Sequence, residues 1–168
     1  LEVIDGVLVS ENARVIKSED EINCIRWAVA VAEHGIAKLK TALRAGVTEA
    51  QLWGLLNYTN LANNGDWHDG RMLASGPRIN PWMQEATLRR VESGDLVGFD
   101  TDMIGPYGYC ADISRTLHCR PSKPTKRQKE LYRLALEEIE YNLKLIRPGI
   151  TLEAFQQQAF VPPEAFHQ

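Results

Sequence analysis

Cysteine is scarce in this chain, and neither sign of charge dominates. Cys24, Cys110 and Cys119 are the three thiols among 168 residues. An odd, sparse set of this kind builds no disulfide framework, which favours a reducing compartment and a cytoplasmic location. None of the three stands in C-x-x-C spacing, which argues against a thiolate zinc site. The net charge of -3 gives no argument for nucleic acid or an anionic membrane surface as a partner. No apolar run approaches the ~20 residues that a membrane helix needs. An initiator methionine is also lacking, so Leu1 is expected to be a processed or cut start.

What is present is the balance of a globular domain: 44% hydrophobic and 24% charged residues, at a length suited to about one domain. Residues 1–10 (LEVIDGVLVS) alternate loosely and predict a strand with a turn at Asp5-Gly6. Ser18-Glu-Asp-Glu21 is a capping box and predicts a long helix over residues 19–43. Its apolar positions Ile22, Ile25, Val29, Ala32, Ile36 and Leu39 recur at steps of three and four. Thr48-Glu-Ala-Gln51 is a second box, opening a helix over 49–62, and Thr125-Lys-Arg-Gln128 a third, opening one over 126–146. Residues 71–75 predict a short strand, and 83–91 a short helical or turn segment. Two strands over 96–104 and 109–118 should form a hairpin around Gly105-Pro106-Tyr107-Gly108. A last helix starts at Thr151 and is interrupted at Pro162-Pro163.

Arg44-Ala-Gly-Val-Thr48 is echoed by Arg147-Pro-Gly-Ile-Thr151, a period of about 103 residues. Each copy follows a long helix and precedes a shorter one. This order predicts an internally duplicated α+β domain. The first half-repeat runs over residues 17–120, and the second, over 121–168, stops short. Residues 1–16 read as the end of a preceding domain or a linker. A half-built second copy would leave sheet edges bare. The chain is therefore expected to be a fragment that lacks a C-terminal portion.

The hairpin carries Asp100, Asp102 and Asp112, although strands disfavour aspartate. Asp100 and Asp102 are two apart and share a strand face, where Asp112 can meet them from the return strand. Three clustered carboxylates repel, and each is costly to bury unless it is paired or bound to a metal. Arg115 faces away from Asp112 on a strand, so a divalent metal is the better partner. Hard carboxylate oxygens suit Mn, Fe, Mg or Zn, and two bridged ions account for three aspartates better than one. Solvated acids on an exposed hairpin are the competing reading. Phe99, Met103, Ile104, Tyr107, Tyr109 and Ile113 weigh against it.

The phrase Gly108-Tyr-Cys-Ala-Asp-Ile-Ser-Arg-Thr116 resembles the second-aspartate motif of the pita-bread metallopeptidase superfamily of methionine aminopeptidases, prolidases and creatinases. Lys17-Ser-Glu-Asp-Glu-Ile22 and Gly46-Val-Thr-Glu49 are similar to the same family. The likeness covers nearly the whole chain from Arg14. It implies a duplicated pita-bread fold and two metal ions, held by hairpin aspartates together with a His and two Glu from later in the chain. The peptidases separate their two aspartates by one residue less than Asp100 and Asp112, and by one more than Asp102 and Asp112. The D-x-D arrangement, with Ala74-Ser-Gly-Pro77 and Asn80-Pro-Trp82 upstream, resembles instead the branch that cleaves dimethylsulfoniopropionate.

That resemblance implies a β-elimination that yields dimethyl sulfide and acrylate. Asp100, Asp102 and Asp112 would be metal ligands. The two divalent ions are expected to be iron, with Mn, Zn or Co as alternatives, and the protein a homodimer. The substrate is a small sulfonium zwitterion, for whose cation aromatic faces are suited. Trp82, Tyr107 and Tyr109 are the candidates, with Trp67 beside them. His68 and His118 are candidate ligands by type alone. The general base and remaining ligands are expected beyond Gln168. An Xaa-Pro peptidase of the same fold and a non-catalytic binding module are the alternative functions.

Overall fold

The computed structural model describes residues 4–161. In chain order the helices are α1 (Val7–Val15), α2 (Glu19–Ala42), α3 (Glu49–Ala62), α4 (Lys126–Leu145) and α5 (Leu152–Gln158). The strands are β1 (Trp67–His68), β2 (Leu73–Ser75), β3 (Leu96–Phe99), β4 (Met103–Ile104), β5 (Cys110–Ala111) and β6 (Arg115–His118). Short 3₁₀ turns cover Gly76–Ile79 and Pro106–Gly108. The chain divides into two compact units, one ending at Ser122 and the other starting at Lys123.

Capping chemistry fixes the helix starts. In α2, α3 and α4 the N-cap hydroxyl of Ser18, Thr48 or Thr125 accepts from the backbone three residues on, and the side chain there reaches back. The R-x-G-[VI]-T corner is built twice in the same way. Gly46 and Gly149 adopt φ of 90° and 85°, and the residue after each glycine donates back to Arg44 or Arg147. Glycine is required there because a side chain disfavours positive φ. Thr48 and Thr151 then cap the helices that follow.

In the first unit α2 and α3 pack closely at Gly35, where an added Cβ would lie 3.2 Å from Leu56 Cδ2. One apolar cluster joins Leu39, Leu52, Trp53 and Leu56 to Leu73, Val97 and Phe99 of the sheet β2-β3-β6. A second joins Ala28, Val31 and Ala32 to Met103 and Ala111 of the sheet β1-β4-β5. All strand pairs are antiparallel. The second unit holds α4 and α5. Asn142 there donates to the Phe160 carbonyl and accepts from its N–H. No helix among the described residues is long and apolar enough to cross a membrane.

Three local expectations need correction. Residues 7–15 form a helix, not a strand. Asp5 Oδ1 accepts from the Val7 N–H at 2.9 Å, and the loose alternation finds no partner strand among the described residues. Residues 1–3 of that predicted strand, the interruption at Pro162-Pro163 and His167 lie outside the described residues. Residues 83–91 form no helix, because their backbone is bonded elsewhere. The carbonyls of Arg89 and Thr87 accept from Glu49 and Ala50, two orphan N–H groups at the start of α3. The strand over 96–104 is not continuous either, and that break creates the site described below.

Glu49 is fully buried. Its carboxylate accepts from the backbone N–H and hydroxyl of Ser75, from the same two groups of Thr87, and from the Arg78 guanidinium. Burial alone would raise its pKa. The hydrogen bonds from Thr87 and Ser75, with the charge of Arg78, outweigh burial and hold it below the ordinary carboxylate value.

Candidate metal centre

The hairpin keeps one register across its break. Phe99 lies opposite Arg115 on one side and Met103 opposite Ala111 on the other. Between them three residues on each strand, 100–102 and 112–114, leave the ladder. Asp102 turns to φ 36°, a conformation that L-residues rarely adopt. Asp100 and Asp102 therefore do not share the face of a regular strand, as the sequence predicts. They reach Asp112 through a kink. One carboxylate oxygen from each of the three lies within 4.8 Å of the others.

The segment 68–72 brackets the kink from outside. The Asp100 N–H donates to the Met72 carbonyl, and the Asp69 N–H to the Asp102 carbonyl, both at 2.9 Å. The Thr101 carbonyl accepts from His68 Nδ1 at 2.5 Å. Thr101, itself fully buried, donates its hydroxyl to the Ala111 carbonyl at 2.7 Å and accepts from the Ile113 N–H at 2.9 Å.

The electrostatics are those of acids forced together. A hydrogen bond shared with Asp100, then burial, then the charges of Asp100 and Asp102 push Asp112 up to about 6. Asp102 is raised by burial first and by the charges of Asp100 and Asp69 next. Asp100 Oδ1 is buried and has no hydrogen-bond partner. Among the described residues these carboxylates form no salt bridge, and they carry an orphaned buried oxygen; that donor set fits hard divalent ions.

The folded pKa of Asp112 lies above its unfolded value. In the metal-free protein its stabilising effect is therefore present below the ordinary carboxylate range and lost as pH rises through about 6. Metal uptake by these carboxylates would have to displace that proton. Affinity should fall about tenfold for each pH unit below that value, as read by manganese titration at about pH 5 and pH 7.5. Equal affinity at both would remove Asp112 from the ligand set.

None of the other candidates belongs to this carboxylate group. Trp82 is exposed at 38% and packs beside β3, where a Cβ added at Gly98 would lie 3.1 Å from Trp82 Cζ3. Tyr107 stands exposed at the hairpin tip with φ 63°. The Tyr109 hydroxyl donates to Glu21 on α2 at 3.0 Å. Trp67 is exposed. His118 is at the far end of β6, opposite Leu96. His68 is buried against the edge of Trp53, and burial lowers its pKa against the hydrogen bond to Thr101. Thr101 and His68 make the side-chain hydrogen bonds at the kink, contacts that the sequence does not announce. One signal for Thr101 was available: a hydroxyl set between two acids inside a strand.

Residues 23–163 match the model of metallopeptidase family M24. The chain belongs to that family, and its α+β fold is the pita-bread fold. Two curated relatives are the dimethylsulfoniopropionate lyases DddP of Roseovarius nubinhibens and Roseobacter denitrificans. Each is 34% identical, over 98% and 99% of this chain respectively, and the match covers 38% of each lyase. The uncharacterized peptidase YqhT of Bacillus subtilis is 31% identical over 84% of the chain and 39% of its own length. Among solved structures, the X-Pro aminopeptidase of Thermotoga maritima superposes with a TM-score of 0.78 at 29% identity, over 88% of this chain and 42% of that one. The prolidase of Pyrococcus furiosus gives 0.80 at 26% identity, over 88% and 43%. The chain thus spans about 40% of the length of these relatives.

Proposed function

We propose that this chain is the N-terminal part of the catalytic domain of a metal-dependent lyase that cleaves dimethylsulfoniopropionate to dimethyl sulfide and acrylate. The observation that carries this reading is the third carboxylate. Asp102 converges with Asp100 and Asp112, and the two lyase relatives align along almost the whole chain. Asp100, Asp102 and Asp112 hold two divalent ions, with iron the first candidate and Mn, Zn or Co the others. Bound there, the metal supplies a Lewis acid for the substrate carboxylate and for charge developing at the adjacent carbon.

The elimination removes a proton from the carbon next to the carboxylate. The electron pair forms the new C=C bond, and the C–S bond breaks with its electrons going to sulfur, which leaves as neutral dimethyl sulfide. The base for that proton and the remaining ligands are assigned to the part of the relatives' length that this chain does not span. Within the chain, we assign the sulfonium cation to Trp82, whose aromatic ring is more than a third exposed. Trp82→Ala should raise KM about tenfold at unchanged metal content, the effect of losing about 1–2 kcal/mol of cation–π attraction. An unchanged KM would remove Trp82 from the substrate site.

The second reading, an Xaa-Pro peptidase, is supported by the solved aminopeptidase and prolidase neighbours. Headspace gas chromatography for dimethyl sulfide on the metal-loaded full-length protein, beside cleavage of an Xaa-Pro dipeptide, separates the two. Dimethyl sulfide release without dipeptide cleavage is expected. Dipeptide cleavage alone would overturn the lyase reading.

A further inference from the structure

We propose that Thr101, held by His68, is the positioning residue that gathers Asp100, Asp102 and Asp112 into one site; the inference rests on the metal-site reading above. In a regular hairpin the backbone groups of Ala111 and Ile113 would be bonded by backbone groups of the facing strand. Here the Thr101 hydroxyl serves both, donating to Ala111 and accepting from Ile113. It thus grips the chain on each side of Asp112. The Thr101 carbonyl is released from the ladder and taken by His68 Nδ1, so that nitrogen carries the proton.

The two contacts hold the peptide between Asp100 and Asp102 at a fixed rotation. Asp102 can then keep its positive φ, a conformation that persists only where its surroundings enforce it. His68 Nε2 is buried without a partner, while its ring edge meets Trp53 with centroids 5.2 Å apart. The imidazole is therefore anchored in the core of α3 on one side and to the kink on the other. Neither Thr101 nor His68 belongs to the carboxylate cluster itself. Their effect on a bound ion would pass through the aspartates.

The test uses cobalt(II) as probe in the full-length protein, with affinity by competition, the visible absorption spectrum and near-ultraviolet circular dichroism for folding. Thr101→Ser keeps the hydroxyl and should retain wild-type affinity and spectrum. Thr101→Val should bind cobalt roughly 10- to 100-fold more weakly and shift the spectrum, as loss of outer-sphere support does. His68→Asn, which retains a donor near the Nδ1 position, should exceed His68→Leu in affinity by about tenfold or more. These differences should persist at temperatures where every variant compared is folded, which a purely structural role would not produce. If Thr101→Val does not fold, the His68 pair decides. Wild-type affinity and spectrum in a folded Thr101→Val or His68→Leu would overturn the proposal. Failure of the wild type to bind cobalt would overturn the metal site itself, and this inference with it.

Discussion

Asp112→Ala in the full-length protein should weaken metal binding by more than the roughly 10- to 100-fold that loss of a mere supporting group costs, and abolish the proposed lyase activity with it. The reason is geometric. Asp112 is the one carboxylate of the cluster that comes from the return strand, so without it Asp100 and Asp102 face empty backbone. The metal-free variant should nevertheless be no less stable than wild type above about pH 7. There the wild-type carboxylate is charged beside Asp100 and Asp102, a state that the fold disfavours. Metal content by plasma mass spectrometry and thermal unfolding of the apo protein read the two effects separately. Asp20→Ala, at the exposed start of α2, should leave both unchanged. Full metal content in Asp112→Ala would return the hairpin to a set of solvated acids.

Glu49→Ala should strongly destabilise the first unit. Removing one partner of a buried ion pair costs about 3–5 kcal/mol, which for a domain of this size lowers Tm by about 10 °C. The loss is large because five donor groups converge on one carboxylate, and Ala leaves all of them without their acceptor. The pH dependence follows from the lowered pKa. The stabilisation is present above the ordinary carboxylate value and is lost as pH falls through the lower folded value. Thermal melts of wild type and variant should therefore converge as the solution is acidified well below pH 4.5. A Tm within about 2 °C of wild type at neutral pH, less than a kilocalorie by the same scaling, would contradict the network's role.

Much of the fold was legible because its signals are local. Three capping boxes place the starts of α2, α3 and α4 at the residues where the structure has them. The repeated R-x-G-[VI]-T corner reads directly as positive-φ glycine followed by a threonine cap. The hairpin is legible too, and so is the meeting of the three aspartates across it. The route by which they converge is not. Asp102's left-handed turn depends on His68 and Asp69, more than thirty residues upstream, and no local pattern announces it. Glu49 reads from the sequence as an ordinary first-turn acid of a helix. Its role depends on Ser75, Arg78 and Thr87, which only the packed sheet and loop bring to it. The N-terminal segment misled for the opposite reason: its alternation is a strand signal only when another strand stands beside it.

Asp102 is proposed to be a metal ligand together with Asp100 and Asp112, the feature by which the proposed lyase site differs from a two-aspartate peptidase site. An anomalous-difference map from crystals of the metal-loaded full-length protein, recorded at the absorption edge of the bound metal, tests it directly. Peaks at about 2 Å from carboxylate oxygens of all three residues are expected. Peaks held by Asp100 and Asp112 with Asp102 turned away, or no peak at the kink, would contradict it.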